Sequence, residues 1–135
     1  MWNGYYEQIK HFTSPKQKIG KIGEDIACKY LENKGFTILE RNFTVKAGEI
    51  DIIANRGEEL RFIEVKSAKY RNGRYLIRPE DNIHQMKMRR LARACLIYAD
   101  MKQLGDKIPW QIDVLAIEYD QAKKRAYIRH IECIY

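Results

Sequence analysis

Long apolar runs are missing from this 135-residue chain. None approaches the roughly 18 residues that a membrane-spanning helix requires, so no membrane partner is expected. The opening MWNGYYEQIKHF is aromatic and polar. It lacks the apolar core of a signal peptide, which places the expected protein in the cytoplasm. Cysteine is scarce: Cys28, Cys95 and Cys133 are odd in number, far apart and in no C-x-x-C pair. That spacing argues against a disulfide framework and a zinc site, and predicts buried free thiols in a reducing compartment. His11, His84 and His130 show no metal-ligand spacing to one another. There is no phosphate-binding Walker loop, G-x-G-x-x-G or nucleophile elbow. Repeats, linkers and low-complexity segments are also absent. The chain therefore reads as one domain over residues 14–135 behind an arm, residues 1–13, that carries Trp2, Tyr5, Tyr6 and Phe12.

What the chain has is positive charge and a patterned core. Lys and Arg number 25 against 18 Asp and Glu, a formal net charge of +7. Such a balance favours a polyanionic partner, nucleic acid first. Hydrophobic residues make up 45% of the chain, enough for a sizeable core.

Ser14-Pro15-Lys16-Gln17 is a helix start, with Ser14 as cap and Pro15 at the first helical position. The helix should run to about Asn33 and stop at Gly35. Ile19, Ile22, Ile26 and Tyr30 form its buried stripe, with Glu24 on the edge of that stripe. Strands follow at Phe36–Phe43, Glu49–Ala54 and Leu60–Ala68. Residues 69–80 are rich in Lys, Arg and Gly and read as a loop. A second helix is expected over about Asn82–Leu104, closed by Gly105 and Pro109. Its buried face carries Met88, Leu91, Cys95 and Tyr98, with Arg89, Arg90 and Arg93 opposite. Gln111–Glu118 and Arg125–Cys133 complete an α/β sheet in the order α-β-β-β-α-β-β.

The hairpin GEIDIIANRGEELRFIEVK, residues 48–66, places charges inside apolar runs. Side chains alternate faces along a strand, so Glu49 and Asp51 share one face and Glu64 and Lys66 share another. A four-residue turn at 56–59 pairs Asn55 with Leu60. The same register sets Asp51 opposite Glu64 and Glu49 opposite Lys66. Opposed Cβ atoms lie about 5 Å apart, and like charges there are unfavourable. Glu49 and Lys66 can form a salt bridge. Asp51 and Glu64 need a shared proton or a cation, and a hard divalent ion such as Mg²⁺ suits oxygen ligands. Lys66 would then sit where it can polarise an attacking water.

The segments GEDIACKYLENKGFTILERNF, GEIDIIA and FIEVKS, with KMRRLARACLIY and WQIDVLAIE, resemble the bacterial YraN-like proteins. That family is predicted to be endonuclease-like and related to archaeal Holliday junction resolvases, within the PD-(D/E)XK nuclease superfamily. The resemblance implies a restriction-endonuclease-like core and catalytic roles for Glu24, Asp51, Glu64 and Lys66. It implies Mg²⁺ or Mn²⁺ held by Asp51, Glu64 and the backbone carbonyl of Val65, with Glu24 as a further candidate ligand. Glu49 and Lys87 stand in a secondary position, Lys87 matching a family lysine on the second helix. Family members commonly carry an arginine two residues after the E-x-K lysine, where this chain has Ala68. Lys69, Arg71, Arg74 and Arg78 are the candidate phosphate contacts in its place. Resolvase relatives work as dimers, so a homodimer is a further expectation by analogy.

The leading expectation is a metal-dependent endonuclease acting on DNA, branched or structured DNA included, with DNA favoured over RNA. The alternative is a non-catalytic nucleic-acid-binding module on the same fold. A third reading treats the charged hairpin as a salt-bridge ladder alone.

Overall fold

A computed structural model describes residues 15–70, 85–105 and 108–135. Helix α1 spans Pro15–Asn33 and is followed by strands β1 (Thr37–Val45), β2 (Gly48–Arg56) and β3 (Glu59–Lys69). Helix α2 covers Gln85–Met101, and β4 (Trp110–Asp120) and β5 (Arg125–Ile131) end the order. The arm expected over residues 1–13 lies outside the described residues, as do Ser14, Arg71, Arg74 and Arg78.

The five strands form one mixed sheet in sequential order. β1, β2 and β3 pair antiparallel, β3 pairs parallel with β4, and β5 returns antiparallel. The parallel step needs a crossover, and α2 supplies it. The fold is the expected α/β arrangement in the expected order.

Alternation along the central strands feeds two cores, one on each face. Ile52, Ala54, Ile63, Leu115 and Ile117 pack with Ile22, Ile26, Ala27 and Leu31 of α1. Ile53, Leu60, Phe62 and Ile112 pack with Leu91, Ala94, Cys95 and Tyr98 of α2. β4, hydrogen-bonded to a strand on each side, is buried at every position from Ile112 to Tyr119, with Leu115 and Ile117 in the α1-side core and Ile112 in the α2-side core. Phe62 meets Tyr98 and Trp110 edge-on, at centroid distances of 5.7 and 5.2 Å.

α1 ends as its glycine predicts. Gly35 takes φ +91°, its N–H donates to the Glu32 carbonyl, and the Phe36 N–H donates to the Leu31 carbonyl at 2.9 Å. This is a Schellman closure. α2 ends differently from expectation. It stops at Met101, and Gln103, not Gly105, holds the first left-handed position, φ +55°. The Leu104 N–H donates to the Ala99 carbonyl at 3.0 Å, so the same closure is built without glycine.

The hairpin turn is two residues, Gly57-Glu58, because Arg56 already pairs with Glu59. Gly57 has the positive φ (+59°) that such a turn requires at its first position. The shorter turn keeps the expected Asn55↔Leu60 register. Cys28 and Cys95 are buried, but Cys133 is exposed, contrary to expectation. β5 ends two residues early, at Ile131, and Cys133 turns into the left-handed region (φ +55°) at the surface. Among the described residues, no helix is long and apolar enough to cross a membrane.

Candidate functional site

The β2–β3 ladder runs from Arg56↔Glu59 to Ile52↔Ile63. Asp51 does not continue it. Its Oδ2 accepts the Val65 backbone N–H at 2.8 Å instead. A change of face in β1 and β2 explains this. Arg41 pairs with Ile52, whose side chain joins the α1-side core, while Phe43 pairs with Ile50, whose side chain joins the α2-side core. Between these pairs lie Asn42, with φ +54°, and Asp51. Asparagine tolerates that conformation better than most residues. The Asp51 side chain is therefore carried into the space between the separating strands. A strand residue's N–H and C=O point to the same lateral side, so the Val65 carbonyl faces this space too.

Glu64 on β3 is buried, with 4% of its surface exposed. Its Oε1 lies 2.6 Å from Lys87 Nζ of α2 and 3.4 Å from Lys66 Nζ. The expected Glu49–Lys66 pair is not formed. Glu49 is exposed and pairs through its backbone with Thr44 of β1, because the ladder to β3 has already ended. Lys69 ends β3 in solvent. Arg89, Arg90 and Arg93 are exposed on the outer side of α2.

Glu24 comes from α1, which is drawn onto β3 by Gly23. A Cβ on Gly23 would overlap the Ser67 side chain, so only glycine permits this approach. Glu24 is half-buried. Its Oε1 is sealed from solvent and has no hydrogen-bond partner. Among the described residues the cation paired with it, Arg41 Nη2, stands 3.7 Å away, too far for a hydrogen bond.

The charges act on one another. Burial first, then the Glu64 charge, push the Asp51 carboxyl up to about 7, with Glu24 and Glu49 adding to the rise. The Val65 amide opposes the shift and does not cancel it. Burial, then the neighbouring Lys87, hold the Lys66 ammonium below its ordinary value. For Lys87 burial acts downward, but its bonds to Glu64 and Lys66 and the charges of Glu64 and Asp51 together outweigh it, and the net shift is upward. A sealed, unpartnered carboxylate oxygen beside two further crowded carboxylates is a donor set suited to a hard cation. Glu24, Asp51 and Glu64 have the donor chemistry for one, but their oxygens do not all come within 4.8 Å of one another.

A tighter group of ligand-type atoms lies elsewhere. Asp113, His130 and Glu132 bring theirs within 4.8 Å of one another. Arg61 already holds the cation's place there, 2.8 Å from Asp113 and 3.0 Å from Glu132. Asp113 also accepts from Gln111 and the Cys133 N–H and contacts His130 Nε2 at 2.8 Å. This is a satisfied ion-pair network that ties the end of the chain to β4. Asp25 and Arg41 are neighbours of the candidate site that the sequence left unmarked. The Lys21–Asp25 spacing of four residues was the available signal for the first. Nothing in the sequence marks Arg41.

Comparison with known proteins places the chain in a family. The chain is 42% identical over 97 residues to a protein of Thermotoga neapolitana named only by that family, covering 72% of this chain and 84% of that one. A Clostridium kluyveri relative is likewise 42% identical over 102 residues, covering 76% of this chain and 80% of that one. Among solved structures, Pyrococcus furiosus SfsA in complex with Ca²⁺ is similar at a TM-score of 0.38 and 18% identity, over 87% of this chain and 64% of that one, a likeness too loose to assign a role. The family model described as "Uncharacterised protein family UPF0102" matches residues 23–117, and the chain belongs to that family.

Proposed function

We propose that this protein is a metal-dependent endonuclease that hydrolyses DNA phosphodiesters, with Glu24, Asp51, Glu64 and Lys66 as its working set. The observation that carries the reading is a sealed Glu24 Oε1 with no hydrogen-bond partner among the described residues, together with an Asp51 carboxyl that burial and then the Glu64 charge push up to about 7. A structural salt-bridge ladder would give Asp51 a cation, whereas its hydrogen bond among the described residues comes from the Val65 N–H.

Asp51, Glu64, the Val65 carbonyl and Glu24 would hold Mg²⁺ or Mn²⁺. When bound, such an ion supplies a Lewis acid toward a phosphoryl oxygen and makes water a better nucleophile near neutral pH. The chain's own residues do the rest. The Val65 N–H fixes Asp51 in orientation. Lys66, half-buried with a depressed ammonium pKa, is placed to orient water and to offset charge on the phosphate. Exposed Lys69 and the α2 arginines Arg89, Arg90 and Arg93 supply sequence-independent phosphate contacts.

The test is a cleavage panel of junction, flap, duplex and single-stranded DNA, with RNA counterparts, in Mg²⁺ and Mn²⁺. Cleavage that requires metal and is lost in Asp51→Ala and Glu64→Ala is expected. Cleavage unchanged in both variants would sink the assignment. Salt-sensitive binding without any cleavage would favour the binding-module alternative.

A further inference from the structure

Glu24 keeps a bare oxygen although an arginine stands beside it, and the reason lies in the next residue. Arg41 Nη2 is 2.9 Å from Asp25 Oδ1 and 3.7 Å from Glu24 Oε1. One guanidinium nitrogen thus faces two carboxylates and bonds only one of them. Asp25 is buried, with 5% of its surface exposed, and the same Oδ1 also takes Lys21 Nζ at 2.9 Å. The position of Arg41 is itself built. A bulge between Ile38 and Glu40 adds Leu39 to β1, and beyond it Arg41 lies opposite Ile52, whose side chain faces α1. Without the extra residue, the alternation would turn Arg41 to the other face.

We propose that Asp25 is a positioning residue that captures Arg41 and so keeps Glu24 Oε1 open for a divalent cation. Asp25 touches neither metal nor substrate in this arrangement. It acts through Arg41. Neutralising Asp25 frees Arg41 to close on Glu24, about 0.8 Å nearer than it now stands if it reaches hydrogen-bond distance. The cation site then loses a ligand to an internal ion pair. This inference rests on the reading of Glu24 as part of a metal site.

The test is a double-mutant cycle on Mn²⁺ binding, measured by calorimetry and electron paramagnetic resonance on the full chain without nucleic acid. Asp25→Asn should weaken Mn²⁺ by about tenfold or more, the usual scale for an outer partner of a metal ligand. Arg41→Gln alone should change it less than about threefold, because the captured arginine already leaves Glu24 open. Arg41→Gln added to Asp25→Asn should restore most of the loss. That non-additivity is the signature. Through-space charge alone predicts that Arg41→Gln tightens binding equally in both backgrounds, and that result would overturn the proposal. So would an unchanged affinity in Asp25→Asn. If Asp25→Asn does not fold, judged by circular dichroism, Asp25→Ser runs the same cycle. Failure of the underlying site reads differently: the unmodified protein binds no Mn²⁺, or Glu24→Gln leaves binding unaltered.

Discussion

The Val65 amide donates to Asp51 Oδ2 at 2.8 Å, one residue past the last β2–β3 ladder pair on β2 and two past it on β3. A side chain thus takes over a backbone hydrogen bond, and the cost is a half-buried carboxylate within reach of the Glu64 charge. Asp51→Asn keeps an acceptor for Val65 and removes the charge. The folded-state carboxyl is raised from 3.8 to about 7, so the native protein holds a proton that the unfolded chain releases. Stability of the metal-free protein should fall as pH rises from about 4 to 7. Asp51→Asn should therefore be more stable than the parent at pH 8, by up to about 4 kcal/mol, and equal to it near pH 4. The same variant should lose metal-dependent cleavage. Urea unfolding at the two pH values checks the first outcome.

Lys87 occupies part of the place that a cation would take. Its Nζ lies 2.6 Å from the Glu64 oxygen, yet 44% of its side chain is exposed, so it is free to leave. Lys87→Gln should raise Mn²⁺ affinity by about tenfold, equivalent to 1.4 kcal/mol, by removing this competitor. It should weaken DNA binding in Ca²⁺, where a released lysine would otherwise meet phosphate. Because the pair is partly exposed, the change in stability should stay within about 1 kcal/mol. Equal Mn²⁺ affinity in variant and parent would show that Lys87 does not compete.

Much of this was legible in the sequence because it is periodic. The two helices and five strands of the described residues and the faces of Ile22, Ile26, Leu91 and Tyr98 follow from spacing alone, and Gly35 ends α1 as glycine should. What escaped was local irregularity. The turn at Gly57-Glu58 was shorter than assumed, yet kept the register. The exchange of faces at Asn42 and Asp51 left the Glu49–Lys66 pair unformed, since strict alternation cannot express a left-handed residue mid-strand. The bulge at Leu39 hid Arg41 for the same reason. Gln103 closes α2 in place of the glycine that propensity favours, held by local hydrogen bonds from its own N–H to Asp100 and from Leu104 to Ala99. Glu24 was placed on the edge of its stripe correctly, but the captured arginine beside it depends on a strand distant in sequence.

Gly23 sits inside α1, where replacement by alanine ordinarily stabilises a helix by about 1 kcal/mol. Here the sign should reverse. The added methyl would overlap both the hydroxyl and Cβ of Ser67, so the helix must move away from β3. Gly23→Ala should lower stability by about 1–3 kcal/mol, the range for overpacking. It should also weaken Mn²⁺ binding, because Glu24 moves with the helix. Ser67→Gly in the Gly23→Ala background should recover both. Thermal unfolding and metal titration of the parent and the two variants separate this account from a simple propensity effect, which predicts stabilisation.

Asp113 gives the acid limb of the stability profile. Burial alone would raise its carboxyl, but His130, the Cys133 N–H, Gln111 and Arg61 together hold it down to about 2, against an ordinary 3.8. A depressed pKa means that the unfolded chain takes up the proton first. The stabilisation is therefore complete above about pH 4 and is lost as pH falls toward 2, and its size is on the order of 2 kcal/mol. Asp113→Asn removes that contribution and leaves Arg61 short of a buried partner. At pH 6 the variant should be the less stable protein, by at least that amount. The gap should narrow steadily between pH 4 and pH 2.5. A gap that stays constant over this interval would mean that the network acts through shape and hydrogen bonding, with no part played by the Asp113 charge. Urea unfolding of both proteins at pH 6, 4 and 2.5 measures it directly.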